Sequence, residues 1–199
     1  MNKLPCFLLL ILCGCASTNL SNIPFEPSIE YTNFKRSFTV AYIVPNELIG
    51  KIYRIDSGAY KGNIEIGNKF VLSIYNLLTN KFLYVIPIAE DDKNKMLRSN
   101  KYDLIVLPIL EKTKFEAPIT GIGQFDFTCT IGITLFDQNE SKIKDLIVNK
   151  SKPSASIAMS GSRNIYQLAY NSVNGTFELS LKALEKLLDN YINTNMVTK

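Results

Sequence analysis

Phe125-Asp126-Phe127-Thr128-Cys129-Thr130-Ile131-Gly132-Ile133-Thr134-Leu135 alternates apolar residues with small or polar ones along its whole length. A period of two belongs to a β-strand with one face on a core and the other toward water. Working outward, Gly121-Ile122-Gly123 turns the chain into this strand, and Asp137-Gln138-Asn139-Glu140-Ser141 forms a hairpin-type loop after it. Lys142 to Asn149 then returns as the antiparallel partner. Upstream, Phe82 to Ile88 and Leu104 to Leu110 are continuous apolar runs, the second carrying Pro108. Runs of this kind suit strands covered on both faces. The polar segment Ala89 to Ser99 between them reads as a short helix.

Ser37 to Val44 is rich in β-branched and aromatic residues and stops at Pro45-Asn46, which predicts a first strand. Lys51 to Ile55 predicts a second, short one, broken by Asp56-Ser57-Gly58. From Gly62 to Gly67 the chain leads into Asn68 to Lys81, where Phe70, Val71, Ile74, Leu77 and Leu78 recur at the three-and-four spacing of one helical face. After a flexible Ser/Pro/Gly stretch from Ser151 to Ser162, the longest helix carries Ile165, Leu168, Ser172, Val173, Phe177, Leu181, Leu184, Leu188 and Tyr191 on one stripe, with Ser162 as its N-cap. Gly175 interrupts that pattern and marks a kink or a close approach to the sheet. The fold class expected is α+β: a mixed, mostly antiparallel sheet of five or six strands with two main helices packed on it, the longest at the carboxy terminus.

The amino terminus follows different rules. Lys3 precedes an apolar run from Leu4 that is about half the length needed to span a bilayer, and Leu12-Cys13-Gly14-Cys15 closes it. This arrangement resembles the lipobox of bacterial lipoproteins. The resemblance implies a signal peptide over residues 1–14, a lipidated Cys15, and a mature chain that begins there. In such proteins the cysteine sulfur receives a diacylglycerol and the new amino group is acylated. Several acyl chains, at about 0.8 kcal/mol per buried methylene, hold a domain on a membrane where a single chain would exchange. Ala16 after the cysteine implies the outer membrane, facing the periplasm, in a Gram-negative cell. Residues 15–35 are rich in Ser, Thr, Asn and Pro and read as a tether, and residues 36–199 as a single domain.

Composition limits the chemistry. The 199 residues are 46% apolar with a formal net charge of +4, a globular balance that does not point to nucleic acid. No histidine is present, which removes the commonest general base and metal ligand and any Ser-His or Cys-His nucleophile pair. Once the signal and Cys15 are set aside, Cys129 is left alone, so no internal disulfide forms, and its place among Phe125, Phe127 and Ile131 makes it a buried, inert thiol. Gly121-Ile122-Gly123 lacks the third glycine of a dinucleotide fingerprint and precedes a strand. Glu90-Asp91-Asp92 lacks the spaced, Gly-bearing ligands of a calcium loop and reads as solvated acid. Asp103 and Asp137 flank strands; a carboxylate pair there would suit glycoside chemistry, while strand-end aspartates are more often turn formers. Ser160-Gly161-Ser162 has no lysine at a Ser-x-x-Lys spacing. The expectation is no enzyme, no cofactor and no metal.

Tyrosine is the more telling residue type. Tyr53, Tyr60, Tyr75, Tyr84, Tyr102, Tyr166, Tyr170 and Tyr191 are numerous for one core, and aromatics with a polar tip favour interfaces. Tyr166 and Tyr170, one turn apart at the start of the last helix, form the partner surface expected from sequence; half-buried tyrosines at the core rim are the plainer reading. The lipobox, the tether, the strand "TVAYIVP" (39–45), a helix and an apolar strand, "YDLIVLPIL" (102–110) and the hairpin with "GITLFD" (132–137) look like small periplasmic lipoproteins of the YajG and CsgG-like kind, whose domain is akin to the TolB amino-terminal domain. That resemblance implies a non-catalytic accessory or assembly component of an envelope machine, held to the membrane through Cys15 and bound to another envelope protein. A ligand- or glycan-binding lipoprotein with tyrosines as its stacking surface is the alternative. Self-association through a sheet edge is a further expectation, because an open hairpin sheet leaves an edge to be protected.

Overall fold

The computed structural model describes residues 18–20, 35–57, 60–99, 101–118, 123–155 and 165–196. The expected signal peptide, the expected lipidation site Cys15, and Ser160–Ser162 with the expected N-cap Ser162 lie outside these. In chain order the elements are β1 (Thr18–Leu20), β2 (Arg36–Val44), a 3-10 turn (Asn46–Leu48), β3 (Ile52–Ser57), β4 (Tyr60–Glu65), α1 (Gly67–Lys81), β5 (Phe82–Ala89), a second 3-10 turn (Glu90–Asp92), α2 (Lys93–Ser99), β6 (Leu104–Glu116), β7 (Asp126–Phe136), β8 (Lys142–Ser151) and α3 (Ile165–Asn195).

Five strands form the main sheet in the order β5-β2-β6-β7-β8. β2 pairs in parallel with both β5 and β6, while β6–β7 and β7–β8 are antiparallel. The mixed sheet with two large helices is the α+β architecture that periodicity indicates, with its carboxy-terminal helix the longest. A smaller sheet, β1-β4-β3, is built on the β3–β4 hairpin. Thr18–Leu20, inside the stretch read as a tether, pairs in parallel with Tyr60–Gly62.

The strand that dictates the fold keeps its period of two on the core side, but its other face is not wet as expected: Thr130, Gly132 and Thr134 are buried as well, because β7 lies inside the sheet between β6 and β8. Phe127, Cys129, Ile131, Ile133 and Leu135 are fully buried beneath α3, whose Leu168, Val173, Phe177, Leu181, Leu184 and Leu188 meet them in one core with α1. Burying each such side chain contributes about 1.5–3 kcal/mol, which fixes the register of β7. α2 covers the opposite face at one end, over Ala41, Ile43, Ile88, Tyr102 and Ile105. The β3–β4 hairpin closes the far end of the main core with aromatics: Tyr60 stands edge-on to Phe125, and Tyr53 edge-on to Phe127.

α3 also carries a polar stripe, Ser172, Thr176 and Ser180, four residues apart and wholly buried. β7 loses β8 as a neighbour after Thr128↔Ser151. There Ser172 steps in: its hydroxyl accepts the Phe127 N–H at 3.0 Å and donates to the Lys152 carbonyl at 2.8 Å. Thr176 Oγ1 lies 2.8 Å from the carbonyls of both Phe127 and Ser172. Helix hydroxyls thus replace the missing strand and keep buried backbone groups paired.

Three expectations need correction. The stretch from Gly62, read as a lead-in to the helix, is strand β4. β6 runs on from Leu110 to Glu116 after an irregularity in its pairing with β7 between Leu110 and Thr113. And the apolar run Phe82–Ile88 is not covered on both faces: it is the edge strand β5, with Leu83, Tyr84 and Ile86 exposed. Pro87 within it is the sequence signal of an edge.

Candidate functional site

Among the residues singled out from sequence, most prove structural. Asp103 accepts the Thr39 N–H through Oδ2 at 2.9 Å, and Asp137 accepts the N–H groups of Asn139 and Ser141 through Oδ1, both at 2.8 Å. The pairing register ends with Ile105 opposite Phe136, so Asp103 and Asp137, which flank that end, both lie at one end of the sheet, each carboxylate accepting backbone N–H groups. Glu90 and Asp91 accept from the backbone N–H and the side-chain amide of Asn46 at 2.8 and 2.9 Å, fastening the two 3-10 turns together. Among the described residues no group of three acidic or cysteine side chains is placed to hold a metal ion. Cys129 is buried beside Ser180, and burial pushes its thiol up to about 11. It is inert because it is both protected and protonated.

The tyrosines do not form one surface. Tyr60 and Tyr102 are buried, and the Tyr53 hydroxyl accepts the Phe115 N–H at 3.0 Å. Tyr166 is 41% exposed on the first turn of α3, while Tyr170 leans partly onto the core. Tyr170 lines a cleft of about 340 Å³ with Lys152, Asn171, Asn174 and Glu178. Burial pushes the Tyr166 hydroxyl pKa up, helped by Tyr170 beside it. The two tyrosines therefore do share one region at the start of α3.

A larger apolar feature lies elsewhere and escapes the sequence. α1 buries Phe70, Ile74, Leu77 and Leu78, which leaves Val71, Leu72 and Tyr75 on its flank. Opposite them stand Tyr42, Val44 and Pro87 from the ends of β2 and β5, and Ile49 from the loop after the first 3-10 turn. Together they line a groove of about 400 Å³ whose one polar side chain is Asn68 apart from the tyrosine hydroxyls. Two of its polar atoms are already engaged: the Tyr42 hydroxyl donates to the Val71 carbonyl at 2.8 Å, and Asn68 Oδ1 accepts the Gly50 N–H at 2.9 Å. Gly50 sits at φ 69, the left-handed turn that sets Ile49 on the rim. Leu72, 56% exposed, and Ile49 form that rim. Exposed aliphatic side chains around an apolar trough mark a contact surface. The residues sit in helical and strand patterns that read as core, so only their placement at the sheet's edge makes them a site.

No family model matches the chain. The large ribosomal subunit protein uL2c of Toxoplasma gondii is 30% identical over 98 residues, which amount to 43% of this chain and 36% of that protein. The chain thus spans little more than a third of the length of the curated relative it matches. Among solved structures, protein XCC0632 from Xanthomonas campestris, of family DUF330, superposes with a TM-score of 0.50 at 10% identity, over 87% of this chain and 98% of that one. The two share a fold. CT253 from Chlamydia trachomatis (TM-score 0.45, 12% identity, 82% and 100% covered) and a provisionally named lipoprotein of Caulobacter crescentus (0.40, 9%, 79% and 92%) superpose too loosely to carry an argument.

Proposed function

We propose that this chain is a lipid-anchored protein of the bacterial cell envelope, held through Cys15 on the periplasmic side of the outer membrane in a Gram-negative cell. Its domain acts without catalysis, as an accessory or assembly component that docks another envelope protein. The observation that carries the reading is the groove between α1 and the carboxyl ends of β2 and β5. Its lining is apolar, the Tyr42 hydroxyl and Asn68 Oδ1 are already bonded within the domain, and its rim is exposed Leu72 and Ile49. Such a surface gains energy by excluding water and has no poised acid, base or nucleophile. Leu12-Cys13-Gly14-Cys15 supports the address.

The test is crosslinking of the membrane-anchored protein in its native cells, capture through a carboxy-terminal tag, and identification of what accompanies it. Leu72→Asp should abolish capture of the partner while the domain stays folded and membrane-bound. Cys15→Ser should release the protein from the membrane fraction. Equal capture by Leu72→Asp and the parent would refute the groove as the docking site, and a Cys15→Ser protein that still fractionates with membranes would refute the anchor.

A further inference from the structure

The two edges of the main sheet are unlike each other. β5 carries no charged residue from Phe82 to Ala89, and the acids Glu90, Asp91 and Asp92 follow it directly. β8, at the other edge, carries Lys142, Lys144 and Lys150 against the single acid Asp145, whose carboxylate is held by Lys142 and by the Thr134 hydroxyl. Lysines on an edge strand deter pairing with a copy of the same strand, since like charges would meet. An eight-residue apolar edge has no such protection. In charge, each edge suits the other better than itself.

Geometry agrees with charge. β5 runs parallel to β2 and β6, and β8, two antiparallel steps from β6, runs in that same sense. A second copy related by rotation about an axis along the strands would therefore bring its β8 beside β5 in parallel. The ends of like sense would meet, setting Glu90–Asp92 of one copy toward Lys150 of the next, with Lys142 and Lys144 beside the uncharged start of β5. The exposed apolar side chains also share a face. Tyr84 and Ile86 stand level with Thr39 and Ala41, and Ile147 lies across Gly132, all on the side of the sheet away from α1 and α3. Tyr84 is 56% exposed, Ile86 38% and Ile147 42%. Joining β5 to β8 would put these three side chains on one continuous face.

We infer that the protein self-assembles head to tail, the β5 edge of one copy adding to the β8 edge of the next in a single extended sheet. The contact is heterologous, so it closes into a ring or runs on as a filament. It joins backbone edges and aligns the exposed apolar side chains on the face away from α1.

The experiment is sedimentation of the full lipidated chain in density-matched detergent, alone and as two edge variants, Ile86→Lys on β5 and Ile147→Lys on β8. Both side chains are exposed, so the circular dichroism spectrum should be unchanged; Tyr84→Lys replaces Ile86→Lys if that variant does not fold. The parent should sediment as a multimer and each variant alone as a single protomer. Mixed one to one, the variants should form a dimer and nothing larger, because one intact β5 then meets one intact β8. A parent that is monomeric overturns the inference. So does an Ile147→Lys protein that assembles like the parent, which would mean β5 pairs with β5, and so does a mixture that stays monomeric.

Discussion

Ser172→Ala is the sharpest test of how α3 holds the sheet. The Ser172 hydroxyl accepts from the Phe127 amide and donates to the Lys152 carbonyl at the point where β7 and β8 part, and the side chain is wholly buried. Alanine leaves the Phe127 N–H without a partner in the core, a loss of about 1–3 kcal/mol. The Lys152 carbonyl belongs to an exposed residue and turns to water, so it adds only about 0.5 kcal/mol. Alanine's better helix propensity returns about 0.5 kcal/mol. The net is a destabilisation of about 1–3 kcal/mol. With a urea slope of about 2 kcal/mol per molar, the unfolding midpoint should fall by about 1 M while the slope stays constant. Ser180→Ala is the control, since that hydroxyl donates to the Thr176 carbonyl one turn earlier in its own helix and should cost under about 1 kcal/mol. If the midpoint of Ser172→Ala shifts no further than that of Ser180→Ala, the hydroxyl does not replace a strand and the reasoning fails.

Two glycines should respond in opposite directions. A Cβ on Gly175 would press only on the far end of the Lys152 side chain, which can swing into solvent, so Gly175→Ala should stabilise by about 0.5–1 kcal/mol through helix propensity; a lower melting temperature would contradict this. A Cβ on Gly132 would run into the Leu146 carbonyl of the paired strand, so Gly132→Ala should lower the melting temperature by several degrees or more, and an unchanged value would rule out that contact. Cys129, with its pKa near 11, should resist iodoacetamide at pH 8 in the native protein and label fully in urea, as read from the mass of its peptide; native labelling at the unfolded rate would mean the thiol is open. Lys81 closes the end of α1 onto α3, its ammonium 2.7 Å from Glu185 and 3.0 Å from Asp189. Burial alone would lower its pKa, but hydrogen bonds and attraction from those two carboxylates outweigh burial and leave it raised. A folded-state pKa above the unfolded one gives stability that is complete below the unfolded value of 10.5 and lost as pH climbs through the raised one. The parent should therefore lose more of its urea midpoint than Lys81→Met between pH 8 and about pH 11; equal losses would exclude the linkage.

How much of this was legible in the chain follows from the range of each interaction. β7, α1 and α3 were readable because their apolar residues recur with periods of two and about three and a half, and most of the residues so selected are buried, Val71 and Ile165 being only partly so. Composition likewise spoke against histidine chemistry. β4 and the tail of β6 were not readable. Tyr60-Lys61-Gly62-Asn63-Ile64-Glu65 buries only Tyr60 and Ile64, and the tail of β6 buries only Phe115. Pairing with neighbouring strands makes them strands, and one or two apolar residues per turn of chain leave no periodic trace.

The functional surfaces divide in the same way. Sequence selected Tyr166 and Tyr170 from residue type, and α3 does present them at its first turns. It passed over Leu72, Ile49 and the β5 edge, because an apolar run carries no mark of its rank in a sheet. The chain by itself determined which residues are apolar and with what period, and hence that helices and strands share one core. Only the tertiary structure decided that Phe82–Ala89 takes the outermost place, since strand order is set by crossovers spanning tens of residues and by what α1, α2 and α3 leave uncovered. The same residues would be plain core one position further in; at the edge they become surface.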